Sequence, residues 1–170
     1  MIDIKFNPEK NGLLINQENK LNVLLNISKE VKESTKQVER LPLNLSLVID
    51  RSGSMNGEPL DEAKKCASML VDRMNENDRL SVVTYESDAE VLVASQPVSH
   101  KEHFKSQINS IRPGGMTALY DGWSLGAEEV AKNSNGNFIS RVLLLSDGQA
   151  NQGLTDDGVI AAHCQKMAEA

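Results

Sequence analysis

The chain has 170 residues, of which 39% are hydrophobic and 25% are charged, as is typical of a soluble globular protein. Its 18 basic and 24 acidic residues give a net charge of −6, which excludes the basic surface that nucleic acids and anionic membranes require. Its longest apolar runs, such as Val142 to Leu145, have about four residues, whereas a membrane-spanning helix needs roughly 20. We therefore expect a globular, cytoplasmic protein with no membrane segment.

Short strands are predicted in the N-terminal region. Apolar residues at positions 2, 4 and 6 alternate with polar ones, as in a half-buried strand, and the early acid argues against a secretion signal. Two further strands are predicted at 13–16 and 21–28, with turns that favour antiparallel pairing. Residues 29–40 carry charges of both signs and indicate a solvated linker or hairpin tip. The sequence thus predicts a β-rich flank and linker over residues 1–40, followed by a domain over 41–170.

The pattern changes after Pro42, where apolar strands alternate with amphipathic helices. The strand from Leu45 to Ile49 is apolar throughout and is expected to be covered on both faces. Further strands are predicted at 79–85, 90–94 and 141–145, the second of them as an antiparallel edge because its connection is short. This order predicts an α/β fold with a doubly wound, mostly parallel sheet flanked by helices.

Three helices are expected to bury apolar stripes, and both cysteines lie on such stripes. We expect the cysteines to pack in the core in a reducing compartment, since their spacing suits neither a disulfide scaffold nor a zinc site. The predicted inward residues are Leu60, Ala63, Cys66, Ala67, Leu70, Val71 and Met74, then Leu119, Trp123, Ala127, Val130 and Ala131, and finally Ile160, Cys164 and Met167.

Three polar loops are expected to meet at one end of the sheet, where ligands bind in this class of fold. The first strand runs into Asp50-Arg51-Ser52-Gly53-Ser54, and the fourth ends in Ser146-Asp147-Gly148. Between them in the chain lies Gly114-Gly115-Met116-Thr117. Two carboxylates and three hydroxyls, without His or Cys, suit a hard cation such as Mg²⁺. An incomplete protein shell would leave room for a carboxylate from a partner protein.

These three motifs, in this order, resemble the von Willebrand factor type A domain with its metal-ion-dependent adhesion site (MIDAS), as found in bacterial members. The resemblance covers residues 42–170 and implies a Rossmann-like fold that binds proteins and is not an enzyme. It also implies a bound Mg²⁺, with Mn²⁺ or Ca²⁺ as alternatives. The implied metal-site residues are Asp50, Ser52, Ser54, Thr117 and Asp147, of which the three hydroxyl residues bind directly and the aspartates directly or through water.

The resemblance also implies more sheet than the sequence supplies. The family has six main strands, whereas four are predicted after Pro42, so about two strands and one or two helices of the C-terminal part of the fold are expected to be missing. We expect the chain to be a fragment, or another chain, including a second copy, to complete the sheet.

The residues leave two other functions open. Asp50 beside a hydroxyl-bearing loop, with Asp147, also describes some Mg²⁺-dependent phosphoryl-transfer sites, although Arg51 and Arg112 are the only basic residues near the loops and no phosphate-binding Gly-Lys-Ser/Thr occurs. A structural part with an empty site is the third option.

Several nearby residues allow two interpretations. Ser146 is expected to form local hydrogen bonds, and the loop 149–153 either rims the site or is a plain polar loop. Asp121 either orients a hydroxyl or water at the site or is an exposed helix acid. Glu58 is expected to be a helix-start acid. The three histidines, His100, His103 and His163, have no catalytic companion nearby.

Overall fold

The computed structural model describes residues 2–8, 23–29, 40–134, 136–148 and 150–168. They fall into two units, Met1–Glu39 and Arg40–Ala170. In the first unit, strands β1 (Ile2–Pro8) and β2 (Val23–Lys29) pair antiparallel, with Ile2 opposite Lys29. The short antiparallel flank predicted from the sequence is therefore present. The predicted strand at 13–16 and residues 30–39 of the predicted linker lie outside the described residues.

The second unit is an α/β layer structure. Its sheet has the order β5-β4-β3-β6, in which β3 runs parallel to β4 and β6, and β5 runs antiparallel to β4 at the edge. The predicted Rossmann-like, mostly parallel sheet is confirmed. In chain order the elements are β3 (Leu43–Asp50), α1 (Glu58–Arg73), β4 (Arg79–Tyr85), β5 (Ala89–Pro97), α2 (Lys101–Ser110), α3 (Leu119–Ala131), β6 (Ile139–Leu145) and α4 (Asp157–Ala168).

The central strand β3 is covered on both faces, as its continuous apolar sequence predicts. Leu45, Leu47 and Ile49 point to one face, where they pack with the buried stripe of α1 and with α2. Val48 points to the other face, where it packs with Tyr85 and with residues of α3. Because β3 lies in the middle of the core, its carboxyl end is a rigid support for the loop that follows it.

Helix α1 buries a narrower stripe than the sequence predicts. Leu60, Ala63, Ala67 and Val71 are buried, but Cys66 is exposed. At 100° per residue, Cys66 lies about 100° from the centre of that stripe, so it faces solvent. The prediction that Cys66 packs in the core is therefore wrong.

Helix α3 approaches the sheet through glycines. A Cβ atom on Gly122 would lie 2.5 Å from the Tyr85 ring, and one on Gly126 would lie 2.4 Å from a methyl group of Val48. The predicted inward residues Leu119 and Trp123 are only half-buried. The apolar pattern of the sequence did not reveal this glycine face, because glycine carries no apolar side chain.

The C-terminal part of the described chain is the least covered. Helix α4 has no buried residue, and Met167, predicted to point inward, is 45% exposed. Strand β6 is the second edge of the described sheet, and its Leu143 and Leu144 are each 37% exposed. The expected further strands therefore stay a prediction. In the described residues, no helix is both long enough and apolar enough to cross a membrane.

Candidate metal site

The three polar loops meet at the carboxyl edge of the sheet. Parallel pairing of β3 and β6 brings the segment after Asp50 beside Ser146 and Asp147. The glycine loop between α2 and α3 is hydrogen-bonded through its backbone to the segment after Asp50. The N–H of Gly53 donates to the Gly115 carbonyl over 3.0 Å, and the N–H of Gly114 donates to the Arg51 carbonyl over 2.7 Å. Gly115 has a φ of +35°, in the region that favours glycine.

Asp50 is completely buried at the end of β3 and accepts three hydrogen bonds. Its Oδ1 accepts the Ser52 N–H at 2.8 Å. Its Oδ2 accepts the Ser146 hydroxyl at 2.6 Å and the Tyr85 hydroxyl at 3.2 Å. Both carboxylate oxygens of Asp50 are therefore engaged by hydrogen-bond donors. Ser146 forms the expected local hydrogen bond by accepting the Gly148 N–H over 3.2 Å, and its bond to Asp50 is a second, long-range contact.

Ser52, Ser54 and Asp147 form a short row of oxygen atoms beside Asp50. The hydroxyl oxygens of Ser52 and Ser54 are 3.2 Å apart, and the Ser54 hydroxyl donates to Oδ1 of Asp147 over 3.0 Å. Ser52 is buried, whereas Ser54 and Asp147 are exposed. The row therefore leads from the protein interior to the surface.

Thr117 is buried to 3% exposure at the end of the glycine loop. Its N–H donates to Oδ1 of Asn151 over 2.8 Å, and the Asn151 N–H donates back to the Thr117 carbonyl over 3.2 Å. Next in the chain, the Gln152 side chain donates to the Ser87 carbonyl. The segment 150–153 thus fixes the backbone at Thr117, a role that the sequence left undecided between a rim and a plain loop.

The electrostatics of the site are those of two carboxylates with neutral neighbours. Within the described ranges, no ion pair involves Asp50 or Asp147, because Arg51 pairs with Glu86 instead. Burial raises the pKa of the Tyr85 hydroxyl, so Tyr85 remains a hydrogen-bond donor at neutral pH. The negative charge at this edge therefore has no compensating side chain in the part of the chain that is described.

The oxygen row has the spacing of neighbouring ligands around a small cation. Adjacent ligands of an octahedral Mg²⁺ lie about 2.9 Å apart, and the oxygens of Ser52, Ser54 and Asp147 are separated by 3.2 and 3.0 Å. Among the described residues, no group of three or more His, Cys, Asp and Glu side chains could hold a metal ion. A cation here would therefore depend on hydroxyl oxygens, so the donor set fits a hard ion.

Sequence reasoning missed Tyr85 and Glu86, and it named Asn151 only as part of the loop 149–153. Tyr85 could have been found, because it is the single hydroxyl-bearing aromatic residue at the end of a buried strand next to Asp50 in register. The other nearby residues have simple roles: Asp121 is an exposed helix acid, and Glu58 is the first residue of α1. His163 contacts the Tyr120 hydroxyl over 2.9 Å.

Residues 44–168 match the family model of the von Willebrand factor type A domain. The chain is 40% identical over 117 residues to the uncharacterized protein sll0103 of Synechocystis sp., a match that covers 69% of this chain and 28% of that protein. The chain therefore spans under a third of that relative's length.

Solved structures show the same fold. A von Willebrand factor type A protein from Catenulispora acidiphila has a TM-score of 0.62 at 18% identity, covering 98% of this chain and 38% of that one. Proximal thread matrix protein 1 of the mussel byssus, whose MIDAS motif is occupied by zinc, has a TM-score of 0.61 at 27% identity, covering 74% of this chain and 33% of that one. With its family match over 125 residues that include all three site loops, the chain belongs to the von Willebrand factor type A domain family.

Proposed function

We propose that this chain is a non-catalytic protein-binding module that binds Mg²⁺ through a MIDAS and captures an acidic side chain of a partner protein. Domains of this family are commonly metal-dependent protein-interaction modules. The metal-site residues in this proposal are Asp50, Ser52, Ser54, Thr117 and Asp147.

The burial of Asp50 without a counter-charge carries the proposal. Hydrogen-bond donors orient a buried carboxylate, but only a cation neutralises its charge. Asp50 has three neutral donors, and Asp147 adds a second negative charge at the end of the same oxygen row. A divalent cation at the row would compensate both carboxylates at once.

The residues divide the work according to their contacts. The hydroxyls of Ser52, Ser54 and Thr117 would bind the ion directly, because neutral ligands leave it electron-poor. Asp50 already has both oxygens in hydrogen bonds, so we expect it to act mainly through those bonds or through water. Asp147, which is exposed, either binds or orients a water. When bound, the metal supplies an electropositive centre that attracts a carboxylate oxygen of the partner.

The choice of ion is a separate part of the proposal. Mg²⁺ fits an all-oxygen set, and Mn²⁺ and Ca²⁺ accept the same ligands. The mussel protein, in contrast, holds zinc in its MIDAS motif. Titration of the chain with each of these ions decides between them.

Phosphoryl transfer is the weaker alternative because the nearby cations are already engaged. Arg51 forms its ion pair with Glu86, and Arg112 donates to the carbonyls of Asn109 and Ile111. A transferring phosphate needs a free cation to compensate its developing charge.

Pairing of a further strand along β6 belongs to the same proposal. Such a strand could come from a continuing chain, a second copy or another protein. It would cover Leu143 and Leu144 and form hydrogen bonds with the backbone N–H and C=O groups along the edge of β6.

The test combines metal binding with partner capture. Calorimetry should show that the parent chain binds Mn²⁺ or Mg²⁺, and that Ser52→Ala and Thr117→Ala each weaken binding by about tenfold or more without unfolding the domain. Ser106→Ala, an exposed serine on α2, is the matched control and should bind as the parent does. Capture of a partner from lysate should require the metal and fail in chelator and in both site variants.

Two results would overturn the proposal. The first is capture that is equal in metal and in chelator. The second is Mg²⁺-dependent turnover of phosphate esters that Asp50→Asn abolishes, which would establish an enzyme.

A further inference from the structure

Arg51 and Glu86 form an ion pair directly beyond the carboxyl ends of β3 and β4. They follow Asp50 and Tyr85, which face each other in the parallel register. Nη2 of Arg51 donates to Oε1 of Glu86 over 2.9 Å, and each side chain is 23% exposed. The Arg51 N–H also donates to the Tyr85 carbonyl over 2.9 Å. The ion pair therefore extends the contact between the two strands into the loops of the site.

The glycine loop lies directly on this ion pair. A Cβ atom on either Gly114 or Gly115 would lie only 2.4 Å from Oε2 of Glu86. A Cβ atom at either position would therefore require the Glu86 side chain to move. Glycine at these positions thus lets the loop pack directly against the carboxylate that is paired with Arg51.

Backbone bonds from the same two residues hold both ends of the glycine loop. The Arg51 carbonyl accepts the Gly114 N–H over 2.7 Å, and the Glu86 carbonyl accepts the Ala118 N–H over 2.7 Å. Thr117 lies between these two attachments. The backbone of the two ion-paired residues therefore holds the loop on both sides of Thr117.

We propose that the Arg51–Glu86 ion pair is a positioning device that holds Thr117 against the Asp50–Ser54 loop and thereby sets the affinity of the site for a divalent cation. Its effect on affinity rests on the proposed function, whereas its effect on the loop does not. Neither residue belongs to the oxygen row, so both act through the loop.

Charge and position predict opposite results for one substitution. Arg51→Gln removes a positive charge near the site, so charge alone would strengthen cation binding. Loss of positioning would weaken it. Glu86→Gln weakens binding on either account. The arginine variant therefore discriminates between the two explanations.

The experiment measures Mn²⁺ affinity by calorimetry and amide hydrogen exchange of residues 114–118 in chelator. Arg51→Gln and Glu86→Gln are each expected to weaken Mn²⁺ binding by about tenfold and to speed exchange of these amides by a similar factor. The double variant is expected to resemble the single variants, because both remove the same contact. Lys65→Gln and Glu62→Gln, which break an exposed ion pair on α1, are the matched controls and should change neither quantity.

Tighter or unchanged Mn²⁺ binding by Arg51→Gln would overturn the proposed effect on affinity. Unchanged exchange at residues 114–118 would overturn the positioning of the loop. If the parent bound no Mn²⁺, the proposed metal site would fail, and the exchange measurement by itself would then decide whether the ion pair holds the loop.

Discussion

The two ends of the parallel sheet each bury an aspartate, and the two are compensated in different ways. At the amino end, Asp78 precedes β4 and is 1% exposed, while at the carboxyl end Asp50 is completely buried. Asp78 accepts two hydrogen bonds from the Arg40 guanidinium, at 2.8 and 2.6 Å, and the N–H groups of Leu43 and Asn75. Among the described residues, Asp50 accepts hydrogen bonds from uncharged donors alone.

This difference separates a structural carboxylate from a candidate binding carboxylate. Asp78 has its counter-charge within the chain and fixes the start of β3 to the loop before β4. Asp50 has hydrogen bonds that orient it, but it forms no ion pair with any residue that the structure describes. In our proposal, the bound cation supplies the positive charge that Asp50 lacks.

The largest expected contrast between the two aspartates is in metal binding. Asp50→Asn should reduce Mn²⁺ affinity by about 100-fold or more, because it removes a negative charge and disturbs the orientation of the Ser52 loop. Asp78→Asn removes the same charge at the opposite end of the sheet and should bind Mn²⁺ as the parent does. Calorimetry of the two variants checks this, and equal losses in both would break the comparison.

In the presence of a chelator, the losses of stability in the two variants should have the reverse order, with the larger loss in Asp78→Asn. Asp78→Asn should lower the free energy of unfolding by on the order of 2 kcal/mol, because an amide cannot accept from every donor that Asp78 now satisfies. Asp50→Asn should cost less, since it removes a buried charge that lacks a counter-charge. Urea unfolding in chelator measures both, and a larger loss in Asp50→Asn than in Asp78→Asn would contradict the assignment.

The smallest expected effect is a dependence on pH that belongs to Asp78. Burial opposes the charge on Asp78, but the hydrogen bonds from Arg40, Leu43 and Asn75 together outweigh it and hold its pKa below the usual value. The stability that Asp78 contributes is therefore complete above the ordinary carboxyl pKa of about 3.9, and it is lost as the pH falls through the lowered native value.

The difference in unfolding free energy between the parent and Asp78→Asn should accordingly be constant from about pH 6 to 5 and shrink below about pH 4. Unfolding curves across this range test it. A difference that grew on acidification would show that the sign of the pKa shift is wrong.

The fold could be predicted from the sequence, but not the way in which the residues of the candidate site are held. The order of strands and helices, the central position of β3 and the antiparallel edge at β5 follow from apolar patterns and connection lengths. The contacts of Tyr85, Glu86 and Asn151 with the site do not, because each joins segments that are distant in the chain. The apolar pattern of a helix does not determine how exactly the helix is rotated against its sheet. For that reason the sequence did not predict the exposure of Cys66 or the glycine face of α3.

The sequence by itself determined that two carboxylates and two serine hydroxyls follow strands at one edge of an α/β sheet, since those positions are local to each strand end. Only the tertiary structure decided which of these groups meet. It placed the oxygens of Ser52, Ser54 and Asp147 in a row, buried Asp50 among neutral donors, and set the Arg51–Glu86 ion pair under the glycine loop. The physical reason is that compensation of a buried charge depends on distances across the fold, which no single segment of the chain contains.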